Sequence, residues 1–230
     1  YEELVRFHPK KKYWTQLSGI YGELEQEDNQ LTSLEAAFDQ ELLNKENEYI
    51  ALYQLLMRAE APLKAAKVMS YGLDNEFVKD NEKHLKMLAQ GWHLAQELET
   101  AEPIYEKAAK KSDEGELYVF LGQIYLATDR YDLAMDTLKL GLKKGKLKDP
   151  VTVNILLGQV SYEMQNFEDA TKFFRTALDR LSDLKIKDKE RLEKRQDKLR
   201  TQALTWLTYT EKEAKRVKML ELRRKDLEKS

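Results

Sequence analysis

The sequence predicts an all-α fold, an α-solenoid of helix-turn-helix repeats closed by a C-terminal capping helix, and three observations predict it. A small residue recurs at Ala65, Ala101, Ala134 and Ala170, at spacings of 36, 33 and 36 residues, which suits one helical hairpin per repeat. The stretch Leu117 to Gly141, LYVFLGQIYLATDRYDLAMDTLKLG, carries two apolar stripes of helical spacing with a break at Asp129 and Arg130. Nine glycines, four prolines and 35% charged residues suit an array of helices with much polar surface rather than a sheet protein.

Within that stretch, Leu121, Gly122 and Tyr125 form the stripe of one helix, and Ala134 and Leu138 form the facing stripe of the next. Gly122 and Ala134 are small where two backbones must approach, so this is a packing code rather than a catalytic one. The pattern Leu-Gly-x-x-Tyr followed by Ala-x-x-x-large-x-x-small resembles the tetratricopeptide repeat (TPR), a helix pair of about 34 residues. The resemblance implies a TPR superhelix. One pair cannot offset its own ordering entropy, roughly 1–2 kcal/mol per residue, so neighbouring repeats must share a continuous core.

Taken in order, residues 1–10 read as the remnant of a preceding repeat helix, with Tyr1, Leu4, Phe7 and Pro9 as its tail, and residues 11–180 as five TPR-like repeats. The first has Trp14, Leu17, Ser18 and Tyr21 in its leading helix; Gln30 replaces the usual alanine in the second, though Leu34 and Ala37 keep the later apolar positions, which predicts a looser pair or one packed by its neighbours. The second repeat has Tyr49, Leu52, Tyr53 and Leu56, then Ala65, Met69 and Gly72; Tyr53 occupies a normally small position and argues against tight packing there. Pro62 falls in a first helical turn, where a missing N–H costs little. The third has Leu85, Leu88, Ala89 and Trp92, then Ala101, Tyr105 and Ala108, with Pro103 placed to kink its second helix. Leu117 to Gly141 forms the fourth. The fifth has Leu157, Gly158 and Ser161, then Phe167, Ala170, Phe174 and Ala177. Residues 181–230 form the capping and charged segment, helical over 188–229, with the stripe Leu192, Leu199, Ala203, Trp206, Leu207, Ala214, Val217 and Leu220; Ala203 to Tyr209 is the part suited to covering the last repeat.

The chain has no cysteine, which excludes disulfides and thiolate chemistry and fits either cytosol or periplasm. No apolar run reaches 18 residues, so no transmembrane segment is predicted. The chain starts at Tyr1, and it reads as a piece of a longer protein. His8, His84 and His93 do not share a face, no metal site or cofactor is predicted, and no phosphate loop, Gly-x-Ser-x-Gly elbow or His-Glu-x-x-His motif occurs. Catalytic residues are therefore not assigned, and the chain reads as a non-enzyme. Residues 185–230 hold 16 Lys and Arg against 9 Asp and Glu, a net +7 that leaves −9 on the remainder of a chain with net charge −2. Acidic residues interrupt every basic cluster, so no nucleic-acid partner is expected.

First helices of such repeats line a concave groove, and the ninth position of repeats two to five is Gln54, Gln90, Gln123 and Gln159. Met57, His93, Leu126 and Tyr162 take the twelfth position. A carboxamide both donates and accepts, so a row of them can hold the backbone of an extended peptide whatever its side chains. The function predicted is a scaffold binding a protein or peptide in that groove. KKYWTQLSGIYGEL, KAAKVMSYGL and LTWLTY also resemble the repeat proteins found beside TonB energy-transduction components in marine Gram-negative bacteria, which implies a periplasmic location and TonB-system partners. Two rivals stand beside this reading. A chaperone-tail adaptor would grip a C-terminal carboxylate, for which Lys83 and Lys86 fit poorly; a nucleic-acid scaffold would use the basic C-terminal helix.

Overall fold

The computed structural model describes residues 1–228, and Lys229, the last residue of the helix expected over 188–229, lies outside the described residues. Among them the regular structure is entirely helical: α1 (Glu2–Phe7), α2 (Lys11–Glu23), α3 (Glu27–Asp39), α4 (Glu46–Arg58), α5 (Pro62–Asp74), α6 (Glu82–Leu94), α7 (Leu98–Lys110), α8 (Glu116–Ala127), α9 (Tyr131–Lys144), α10 (Pro150–Glu163), α11 (Phe167–Asp179), a 3-10 turn (Leu181–Asp183) and α12 (Lys189–Leu227). They form two compact units, one of Tyr1–Lys111 and one that begins at Ser112.

Each hairpin from α2/α3 to α10/α11 closes through the same turn. Its middle residue is left-handed, at Glu25, Glu60, Gln96, Asp129 and Gln165, with φ between 54 and 63°. The next N–H, for example that of Arg130, reaches back to the carbonyl five residues earlier, here Tyr125, at 2.8 Å. The same bond joins Gln26 to Tyr21, Ala61 to Leu56, Glu97 to Trp92 and Asn166 to Ser161. This satisfies carbonyls that a helix end leaves open. None of the five left-handed residues is glycine, so four of the five turns carried no glycine or Asp-Arg signal in the sequence.

In the first unit α3 packs on α4 and α5 on α6, so successive pairs stack. Two expected weak points are resolved by local exchanges. Gln30, large where alanine is usual, lies over Gly22, where an added Cβ would stand 2.6 Å from its Nε2, and the Ser18 hydroxyl donates to the Gln30 carbonyl at 3.1 Å. The first pair is therefore closed rather than loose. Tyr53 is 5% exposed, and its hydroxyl donates to the Met87 carbonyl of α6 at 2.6 Å, joining two repeats rather than splaying one. Gly91 takes up the close approach instead, since a Cβ there would meet that of Ala66 at 3.0 Å. Pro103 lies inside α7, which runs as one helix from Leu98 to Lys110. In α1, Leu4 and Phe7 are exposed and Val5 is the buried residue, so the apolar tail read from the sequence is not the packing face.

Burial pushes the hydroxyls of Tyr49 and Tyr53 up to about 12 from the ordinary 10. Below pH 10 both are protonated whether the chain is folded or not. Above it the unfolded chain ionises first, so stability is expected to fall as pH rises from 10 toward 12. Tyr53→Phe is expected to cost about 1 kcal/mol at neutral pH and to make the alkaline decline shallower. Melting curves at neutral and alkaline pH check this, and an unchanged neutral midpoint would contradict it.

The second unit holds α8/α9, α10/α11 and α12, which packs on α11 and α10. Leu138 lies over Gly122, where a Cβ would meet its Cγ at 2.6 Å, and Phe174 lies over Gly158 in the same way. On α12, Leu199 and Ala203 are 1% exposed and Trp206 stacks on Phe174 at 6.1 Å between ring centres. Leu204 and Tyr209, within the segment expected to cover the last repeat, face solvent instead. Leu181 and Leu184 are buried, so the charged linker read from the sequence contributes to the core.

Candidate peptide-binding face

The ninth-position glutamines owe their placement to their neighbours. Gln54 follows buried Leu52 and Tyr53 and precedes buried Leu55 and Leu56; Gln123 lies between Leu121–Gly122 and Ile124–Tyr125, and Gln159 between Leu157–Gly158 and Val160–Ser161. Gln90 follows buried Leu88 and Ala89 and precedes buried Gly91. A helical residue flanked in this way has one direction left, and it is outward. Gln54 is exposed and the other three are half-buried. Among the described residues none of the four carboxamides has a hydrogen-bond partner, and none is cut off from solvent. Gly19, at the same position of α2, has open space beyond its Cα. Gln54 and Gln90 belong to the first unit, on α4 and α6, and Gln123 and Gln159 to the second, on α8 and α10.

The twelfth-position residues are more committed to packing than the sequence suggested. Met57 packs against the core of the first unit. His93 stands edge-on to the fully buried Tyr105, centres 5.9 Å apart, and burial holds its imidazole below the ordinary value. Leu126 is half-buried. Tyr162 meets Phe167 at 5.7 Å and Trp206 of α12 at 5.5 Å, so the capping helix takes up part of the ring assigned to the groove. In each unit the outward amides are thus unpaired polar groups on the first-helix faces, beside the half-buried twelfth-position residues.

Among the described residues no group of three or more His, Cys, Asp or Glu can hold a metal ion, and no helix is long and apolar enough to cross a membrane. His84 is buried with its Nδ1 2.9 Å from the Lys79 carbonyl, next to Asn81, which caps α6 by accepting from the His84 N–H. That accounts for it structurally.

Residues 115–143, which comprise the fourth hairpin, match the tetratricopeptide repeat model. The chain has the fold of a tetratricopeptide repeat solenoid. No curated protein matches its sequence. Among solved structures it is similar to MamA, with 13% identity, a TM-score of 0.63, and coverage of 75% of this chain and 92% of that one. It is similar also to MamA residues 41 to the end from Desulfovibrio magneticus RS-1, with 13% identity, a TM-score of 0.61, and coverage of 74% and 93%. YrrB, described as a TPR protein with an unusual peptide-binding site, matches with 12% identity, a TM-score of 0.60, and coverage of 77% and 90%. At these identities the likeness is one of fold. A TPR fold is consistent with a protein-interaction scaffold, while the partner is set by surface residues.

Proposed function

We propose that the chain is a non-enzymatic scaffold that holds extended peptide segments of a partner protein against the first-helix faces of the repeats within each of its two units. The carrying observation is the pair of outward, unpartnered amides in each unit, Gln54 and Gln90 in the first and Gln123 and Gln159 in the second. Each is fixed by buried neighbours and offers one acceptor and two donors to a peptide backbone. YrrB, of similar fold, is described as having a peptide-binding site, which supports the class of ligand. Backbone recognition predicts the outcome of panning a random peptide library against the full chain. Enriched peptides should share no strict side-chain motif, and blocking their backbone N–H groups by methylation should weaken them. A consensus ending in an invariant C-terminal carboxylate would replace this reading with the chaperone-tail adaptor.

The proposed setting is the periplasm, with TonB-system components as partners. Its support is the resemblance of KKYWTQLSGIYGEL, KAAKVMSYGL and LTWLTY to repeat proteins of those systems. Fractionation of the native host should recover the chain with periplasmic markers. Recovery with cytosolic markers removes this setting and leaves peptide binding untouched.

A further inference from the structure

The 39 residues of α12 span about 58 Å, whereas the 13-residue α11 on which it packs spans about 20 Å. Its inner stripe, Leu199, Ala203, Trp206 and Thr210, packs on the second unit. A second stripe runs along the opposite side at helical spacing: Leu204, Thr208, Lys212, Lys215, Met219 and Leu222. Leu204 is 46% exposed, Met219 55% and Leu222 53%. From Lys218 to Glu228 every described residue is exposed. A helical segment of that length is marginal in water without an apolar partner, and stacked repeats ordinarily cover such a face with the next helix.

We propose that this outer stripe of α12 docks an amphipathic, acidic helix from a partner protein, at a surface separate from the amide face. The charge of the stripe selects the occupant. Leu204 to Leu222 as a whole is close to neutral, but the charged members of the stripe itself are Lys212 and Lys215, so a second copy of this stripe would meet like charge and an acidic one would be attracted. Lys212 and Lys215, between Leu204 and Met219, sit where acidic flanks of a docked helix would pass. Leu204, Met219 and Leu222 supply apolar anchors of the kind that helix docking uses.

The test uses the full chain and two synthetic helical peptides. One repeats leucines at i, i+3, i+4 and i+7 through about 21 residues, long enough at about 1.5 Å per residue to reach both Leu204 and Met219, with glutamates flanking them, and the other has lysine for every glutamate. In fluorescence anisotropy the acidic peptide should bind at least about tenfold more tightly than the basic one and weaken as salt rises. Leu204→Glu and Met219→Glu should each cost at least about another tenfold, with the circular dichroism melt unchanged because both side chains are exposed. Equal binding of the two peptides, no binding of either, or a dimer in light scattering that Leu204→Glu dissolves would overturn the proposal.

Discussion

Gly158→Leu should lower the stability of the second unit by about 2–3 kcal/mol, the upper part of the range for overpacking a helix contact. A Cβ at Gly158 would stand 2.7 Å from both Cδ1 and Cζ of Phe174, and that ring cannot withdraw. It is fully buried and stacked on Trp206, so any displacement is passed to the capping helix. Gly122→Leu meets Leu138 in the same manner, and Ala134→Leu tests the same interface from α9. A rescue distinguishes this contact from general damage. In Gly158→Leu combined with Phe174→Ala the leucine enters vacated space, so the double variant should be more stable than the two single losses summed. Gly19→Ala, with nothing near its Cα, should instead gain up to about 1 kcal/mol from helix propensity. Thermal melts of these variants decide the matter, and a Gly158→Leu chain as stable as the parent would refute the packing assigned here.

Tyr49→Ala should cost about 3–5 kcal/mol, the range for truncating a buried aromatic residue. Its ring is 1% exposed, lies edge-on to Phe38 at 6.1 Å and stacks with Phe77 at 5.6 Å. Its hydroxyl donates to the Leu43 carbonyl at 3.1 Å. Truncation therefore opens a cavity and orphans an acceptor in one step, whereas Tyr49→Phe removes only the hydrogen bond and should cost about 1 kcal/mol. Denaturant titration separates the two, and equal losses would show that the ring contributes no packing of its own.

Most of the helical architecture was legible because its signal is periodic and local. Ala65, Ala101, Ala134 and Ala170 are all fully buried, and the hairpins fall around them. What stayed illegible depended on partners distant in sequence. Tyr53 looked too large for its place because its acceptor, Met87, lies 34 residues away in the next repeat. Gln30 looked wrong until paired with Gly22, whose lack of a side chain admits it. Tyr162 looked free for a ligand because its partner Trp206 lies outside the repeat period. The amides needed only their neighbours: buried residues on both sides turn each one outward.

That outward direction is the central claim, and Gln54→Ala with Gln90→Ala in one chain tests it most directly. Both lie in the first unit, and each hydrogen bond to a bound peptide contributes about 0.5–1.5 kcal/mol. Isothermal titration with a peptide selected by panning should show affinity falling roughly five- to a hundredfold, with the melting temperature unchanged or slightly raised because alanine is the better helix former. Unchanged affinity would show the amides to be mere surface, and a large loss of stability would show that they face the core.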